Sequence, residues 1–141
     1  MEVGDFKHSI PIQIRFNDID KVNHVNNAVY HTYIELGRVH YFNVVFDRTV
    51  DWNNEGFVLA RTEIDYRKPI FLRDTITCFT KFSSFKNKSF TMQSLIAKKT
   101  ESGLEVCATA LCTLVCMNFI TQKSIDIPEA WKEKLLAFEN T

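Results

Sequence analysis

The residues with chemistry to offer crowd into one stretch, Asn17 to Asn27, which reads NDIDKVNHVNN. Asp18 and Asp20 bring carboxylates, His24 an imidazole, and Asn26 a side chain suited to capping a helix. A carboxylate held against an electrophilic carbon attacks it or activates a water for attack. A helix starting here would turn unpaired N–H groups toward the oxyanion that forms. The same residues have a second reading. Asn and Asp side chains bond nearby backbone groups, so the stretch also reads as a turn, with Asp20 shaping it and His24 holding it by backbone hydrogen bonds. Residue type alone favours the turn for Asp20 and leaves His24 open.

The elements around this stretch are legible from periodicity. Ile10 to Phe16 (IPIQIRF) alternates apolar and polar residues and predicts a half-buried strand that delivers the loop. From Asn27 to Phe46, Tyr30, Tyr33, Ile34, Gly37, Tyr41, Val44 and Val45 recur at helical steps. Twenty residues of helix span about 30 Å, enough to cross a small domain. Four strands are expected after it, at Phe57–Arg67, Asp74–Phe85, Ser89–Lys99 and Leu104–Phe119, with turns at Lys68–Asp74, Lys86–Lys88 and Thr100–Gly103. Succession through short turns favours antiparallel pairing. Pro128–Phe138 predicts a last short helix with Pro near its first turn. One strand, one long helix and four strands describe an α+β chain: a five-stranded antiparallel sheet around a central helix.

The chain's 141 residues suit a single domain over 1–141, and a 45% hydrophobic, 24% charged composition is that of a globular protein. Seventeen basic residues balance seventeen acidic ones, so no net field favours nucleic acid or an anionic membrane. No signal-peptide pattern or membrane span is visible, and a cytoplasmic protein is expected. Cys78, Cys107, Cys112 and Cys116 form no CxxC pair and read as buried thiols. His31 and Glu35, four apart on one helical face, would begin a metal site with His24. Their spacing is equally that of an ordinary helix pair, and zinc requires ligands the motif does not supply, so no metal is expected. No G-x-S-x-G elbow, phosphate loop or dinucleotide fingerprint occurs.

The run RFNDIDKVNHVNNAVYHTYIELGR, Arg15 to Arg38, resembles the 4-hydroxybenzoyl-CoA thioesterase family and is similar to acyl-carrier-protein thioesterases. Phe16-Asn17-Asp18-Ile19-Asp20 carries the aromatic-x-D-x-D pattern, and His24-Val25-Asn26-Asn27, Tyr30 and Glu35 follow as they do there. Glu63 to Pro69 (EIDYRKP) and Asp74-Thr75-Ile76 extend the likeness over most of the chain. The resemblance implies a hot-dog fold and hydrolysis of an acyl thioester of coenzyme A or of an acyl carrier protein, without metal or organic cofactor. It implies Asp20 as nucleophile or general base, the N–H of Asn27 as oxyanion donor, and a homodimer or homotetramer with sites between protomers.

His24 matches a site histidine of the acyl-carrier branch, where it would bind or polarise the thioester. That branch has Asn two residues after its Asp, whereas this chain has Val22, so its full site does not transfer. Asn26 is expected to cap the helix and Asp18 to serve as a structural hydrogen-bonder. Lys86, Lys88 and Ser89 resemble a basic turn used against coenzyme A phosphates, although composition reads them as a solvated hairpin turn. Tyr30, Tyr33 and Phe57 suit either an acyl pocket or the core. The rival functions are an acyl-binding protein without catalysis and a hydratase of the same fold.

Overall fold

The computed structural model describes residues 1–141. Its elements are β1 His8–Ile12, α1 Asn27–Phe46, β2 Glu55–Tyr66, β3 Ile76–Phe85, β4 Ser89–Thr100, β5 Gly103–Asn118, β6 Lys123–Ser124 and α2 Glu129–Glu139, with 3-10 turns at Val3–Asp5 and Phe16–Asp18. The helix stands at its expected bounds because Asn26 caps it, its side chain accepting from the Ala28 N–H at 2.9 Å.

The first strand is shorter and earlier than its alternation predicts. β1 pairs with β3 from His8↔Thr80 to Ile12↔Ile76, and β3 begins at Ile76. Beyond Ile12 the chain has no ladder to join, so Arg15 and Phe16 leave the sheet and Phe16–Asp18 curls into a turn. A strand lasts only as long as its neighbour does.

The sheet runs β1-β3-β4-β5-β2, every pair antiparallel, with the two-residue β6 added on β5. It curls around α1 as the hot-dog arrangement requires. β6 is an addition to the five strands that the sequence predicts. Nor do β2 and β3 pair: β2 lies at the far edge against β5, and residues 67–75 cross back to β3. That crossover passes the N-terminal end of α1, where the Val25 N–H donates to Ile70 O at 2.8 Å.

Tyr30, Tyr33, Ile34, Gly37, Tyr41 and Val45 bury the inner stripe of α1, with Phe42 and Phe46 beside them. Val44 departs from the expected stripe and is 52% exposed. At its middle the helix lies hard on β3. A Cβ at Gly37 would stand 2.6 Å from Cys78 Sγ and 2.8 Å from Thr80 Oγ1, so no larger residue permits this approach. At the C-terminal end Phe57 packs edge-on against Phe42, Phe90 and Trp131, at 4.5, 5.2 and 5.7 Å between ring centres. The aromatic core closes that end of the helix, and the polar loop stands at the other. No helix is long and apolar enough to cross a membrane.

Candidate active site

The loop is built on Asp18. Its buried carboxylate Oδ2 accepts from the Arg15 N–H at 2.9 Å and from the Tyr33 hydroxyl at 2.7 Å, and its carbonyl accepts from the Asn26 N–H at 2.8 Å. One residue thereby ties the 3-10 turn, the helix cap and the inner face of α1 together, which is the structural part expected of it. Burial and the neighbouring carboxylate push the Tyr33 hydroxyl well above the usual phenol range, so it stays a donor.

Asp20 closes the next turn. Its Oδ1 accepts from the N–H groups of Val22 at 3.0 Å and His24 at 3.3 Å, and its own N–H donates to His24 O at 2.9 Å. The turn-forming reading of Asp20 is therefore part of the structure. It does not exhaust the group, because Oδ2 makes no protein hydrogen bond and Asp20 lines a cleft of about 930 Å³. Phe16, Ile19, Phe71 and Leu72 give that cleft its apolar wall, and Asn23, Arg73 and Asp74 complete it. Phe16, 81% exposed, is the most open of the large apolar side chains.

A smaller recess of about 220 Å³ is lined by His24, Val25, Asn27, Tyr30, Tyr66, Arg67, Lys68 and Pro69. Of the first-turn donors of α1, Ala28 N–H is bonded to the Asn26 side chain and Val29 N–H to Asn26 O at 2.9 Å, whereas the Asn27 N–H has no acceptor. The Tyr66 hydroxyl donates to Asn27 O at 3.1 Å, holding the start of the helix against the end of β2. Tyr66 also meets the ring of buried Tyr30 edge-on at 5.0 Å. Burial raises the Tyr30 hydroxyl to about 12, leaving it neutral at physiological pH. The His24 ring stands edge-on to Phe71 at 5.2 Å, so a residue that lines the recess touches one that lines the cleft.

The structure thus gathers Asp20, His24, Asn27 and Tyr30 around one loop, and gives Asn26 its capping bond. It places the basic turn elsewhere. Ser89 pairs with Val115 and Tyr66 with Ala108; seven residues of β5 separate them, about 23 Å along the strand. Lys86 and Lys88 are exposed there, and the Lys86 N–H donates to Ser89 O at 2.7 Å. Glu35 and His31 face solvent, and no group of three His, Cys, Asp or Glu side chains is placed to hold a metal. The four cysteines are free and buried, with burial raising Cys107 to about 11 and Cys78 and Cys116 to about 12. Those three carry no thiolate at neutral pH.

Periodicity puts Tyr33 on the inner stripe without its bond to Asp18, and it assigns no part in the site to Tyr66 or to the crossover residues Ile70 and Phe71. One signal does point to the crossover: Phe71-Leu72, two large apolar residues inside a turn, is costly to expose unless something packs there.

The model of the thioesterase-like superfamily matches residues 14–135. The chain is 31% identical over 127 residues to the long-chain acyl-CoA thioesterase FadM of Escherichia coli (strain K12), covering 88% of this chain and 93% of that protein. A Thermus thermophilus thioesterase, solved with coenzyme A and zinc, is 31% identical, with a TM-score of 0.85 over 97% of both chains. A 4-hydroxybenzoyl-CoA thioesterase mutant solved with 4-hydroxybenzoyl-CoA has a TM-score of 0.81 over 90% of this chain and 96% of that one. At 18% identity it shows the shared fold alone.

Proposed function

We propose a reaction centre on one premise: the chain belongs to the thioesterase-like superfamily. It hydrolyses acyl-CoA thioesters, and Asp20 supplies the working carboxylate. The observation that carries this assignment is Asp20 itself, one oxygen fixed by two backbone N–H groups and the other left to an apolar-walled cleft, with Asn27 at the helix start lining the neighbouring recess.

The thioester carbonyl lies with its oxygen toward the free Asn27 N–H, whose dipole end favours the negative charge that develops. Asp20 Oδ2 then attacks the carbonyl carbon, or takes a proton from a water that does. Along either route one water is consumed, the C–S bond breaks, and a carboxylic acid and a free thiol leave. His24, its backbone tied to Asp20 and its ring in the recess, borders the thioester; Tyr30 and Tyr66 shape the wall behind Asn27.

The site is shared between two copies of the chain. β2 is an edge strand with Val58 and Leu59 more than 40% exposed, a pairing surface that a monomer would leave open. A two-fold copy pairing β2 against β2 antiparallel sets the beginning of one strand beside the end of the other. Since the Lys86–Ser89 turn lies at the β2-start end and Asn27 at the β2-end, the partner's Lys86 and Lys88 come to the side of this chain's Asp20 loop, within reach of coenzyme A phosphates. A tetramer built of two such dimers leaves this pairing unchanged. Sedimentation of a dimer that Leu59→Lys converts to monomer checks the interface.

Thiol release from a panel of acyl-CoAs tests the reaction itself. The relative's long-chain substrates make long-chain members the first to run, with short and aromatic ones beside them. Turnover is expected on at least one. A melting temperature raised by ligand with no thiol released would overturn the reading in favour of an acyl-binding protein, and turnover confined to acyl carrier protein would change the thiol carrier.

A further inference from the structure

Resting on that assignment of the loop, we infer that Lys98 is a positioning residue for the reaction centre, acting through the crossover rather than on the substrate. Lys98 lies on β4 and its side chain is 14% exposed. Its ammonium donates to Pro69 O at 3.1 Å, stands 5.5 Å above the Phe71 ring, and lies 3.8 Å from both Asp74 and Glu105. Asp74 in turn accepts from the Phe71 N–H at 2.8 Å, and its own N–H donates to Phe71 O at 3.0 Å. A nearly buried cation with these partners clamps Pro69 to Asp74 onto the sheet.

The clamped segment carries the site loop. Ile70 O receives the Val25 N–H at 2.8 Å, and Phe71 meets the His24 ring at 5.2 Å. His24 in turn contributes its N–H to Asp20 Oδ1 and its carbonyl to Asp20 N–H. The path from Lys98 to the carboxylate is therefore Pro69–Phe71, then His24–Val25, then Asp20. Backbone bonds to the strands hold the crossover at its ends, from the Arg67 and Lys68 N–H groups to Cys107 O and from the Lys99 N–H to Thr75 O, and the Lys98 ammonium holds its middle at Pro69 and Phe71. Without the ammonium, Phe71 is free to swing from His24, and displacement of a reacting group by about 1 Å costs on the order of a hundredfold in rate.

The test pairs kinetics with proton NMR of the four histidines in Lys98→Met, which keeps the apolar stem, and Lys98→Arg, which keeps a cation able to donate to Pro69 O. In Lys98→Met the His24 imidazole resonances are expected to move to those of an unpacked ring. The kcat on acyl-CoA should fall about tenfold or more with KM nearly unchanged, and Tm should fall only a few degrees. Lys98→Arg should return the resonances and most of kcat. If Lys98→Met does not fold, the polar Lys98→Gln takes its place with the same expectation. His24 resonances that stay where they are without the ammonium overturn the inference, whatever happens to the rate. These resonances are read without substrate, so a protein that cleaved no acyl-CoA would overturn the proposed reaction and still leave the clamp decided.

Discussion

Replacing Tyr33 by Phe removes one oxygen and asks how firmly the site loop is held. The Tyr33 hydroxyl is buried and donates to Asp18 Oδ2 at 2.7 Å. Phe fills the same ring space, so no cavity opens, and the change isolates the hydrogen bond. A buried bond to a charged acceptor is worth about 2 kcal/mol, most of it the cost of leaving the carboxylate short of a donor. Unfolding entropy near 2.1 cal/mol/K per residue amounts to about 0.3 kcal/mol/K for this chain, so about 2 kcal/mol lowers Tm by roughly 7 °C. Calorimetry at fixed protomer concentration measures it, since oligomers melt in a concentration-dependent way. The loss should be flat from pH 6 to 9, because Tyr33 keeps its proton throughout that range. A Tm within 2 °C of wild type would refute the reasoning, and Asp18 would not be the anchor of the loop.

Gly37→Ala gains helix propensity of about 1 kcal/mol yet should destabilise the protein by roughly 1–3 kcal/mol in urea unfolding, because the new Cβ drives into Cys78 and Thr80. His8 gives a pH signature. Burial and the neighbouring His40 hold its pKa at about 4 against 6.5 when unfolded, so the unfolded chain takes up its proton first. The stabilisation this represents is whole above pH 6.5 and fades as pH falls toward 4, a loss of up to roughly 3 kcal/mol. Denaturant midpoints across that window should flatten in His8→Gln.

What the sequence made legible follows from how local its causes are. The helix bounds stood because Asn26 and its stripe act within a few residues, and β3, β4 and β5 because the turn residues between them mark their ends locally. The end of β1 was set by where β3 begins, sixty-four residues later, and no pattern inside Ile10–Phe16 carries that information. The edge position of β2 is likewise a property of the whole sheet. In the site, Asp20, His24 and Asn27 were marked by residue type and motif. Tyr33 beneath Asp18 and Lys98 on Pro69 O bond across separations of 15 and 29 residues, and a tyrosine on an apolar stripe or a lysine in a strand has an ordinary explanation close at hand.

The most direct measurement is thiol release by Asp20→Asn beside wild type on the acyl-CoA that wild type turns over best. Asn keeps an oxygen to accept from the Val22 and His24 N–H groups, so the turn and Tm should survive while the negative charge and the attacking oxygen are gone. Turnover should fall at least about a hundredfold. Turnover unchanged in a folded Asp20→Asn protein would contradict the account and remove Asp20 from the reaction.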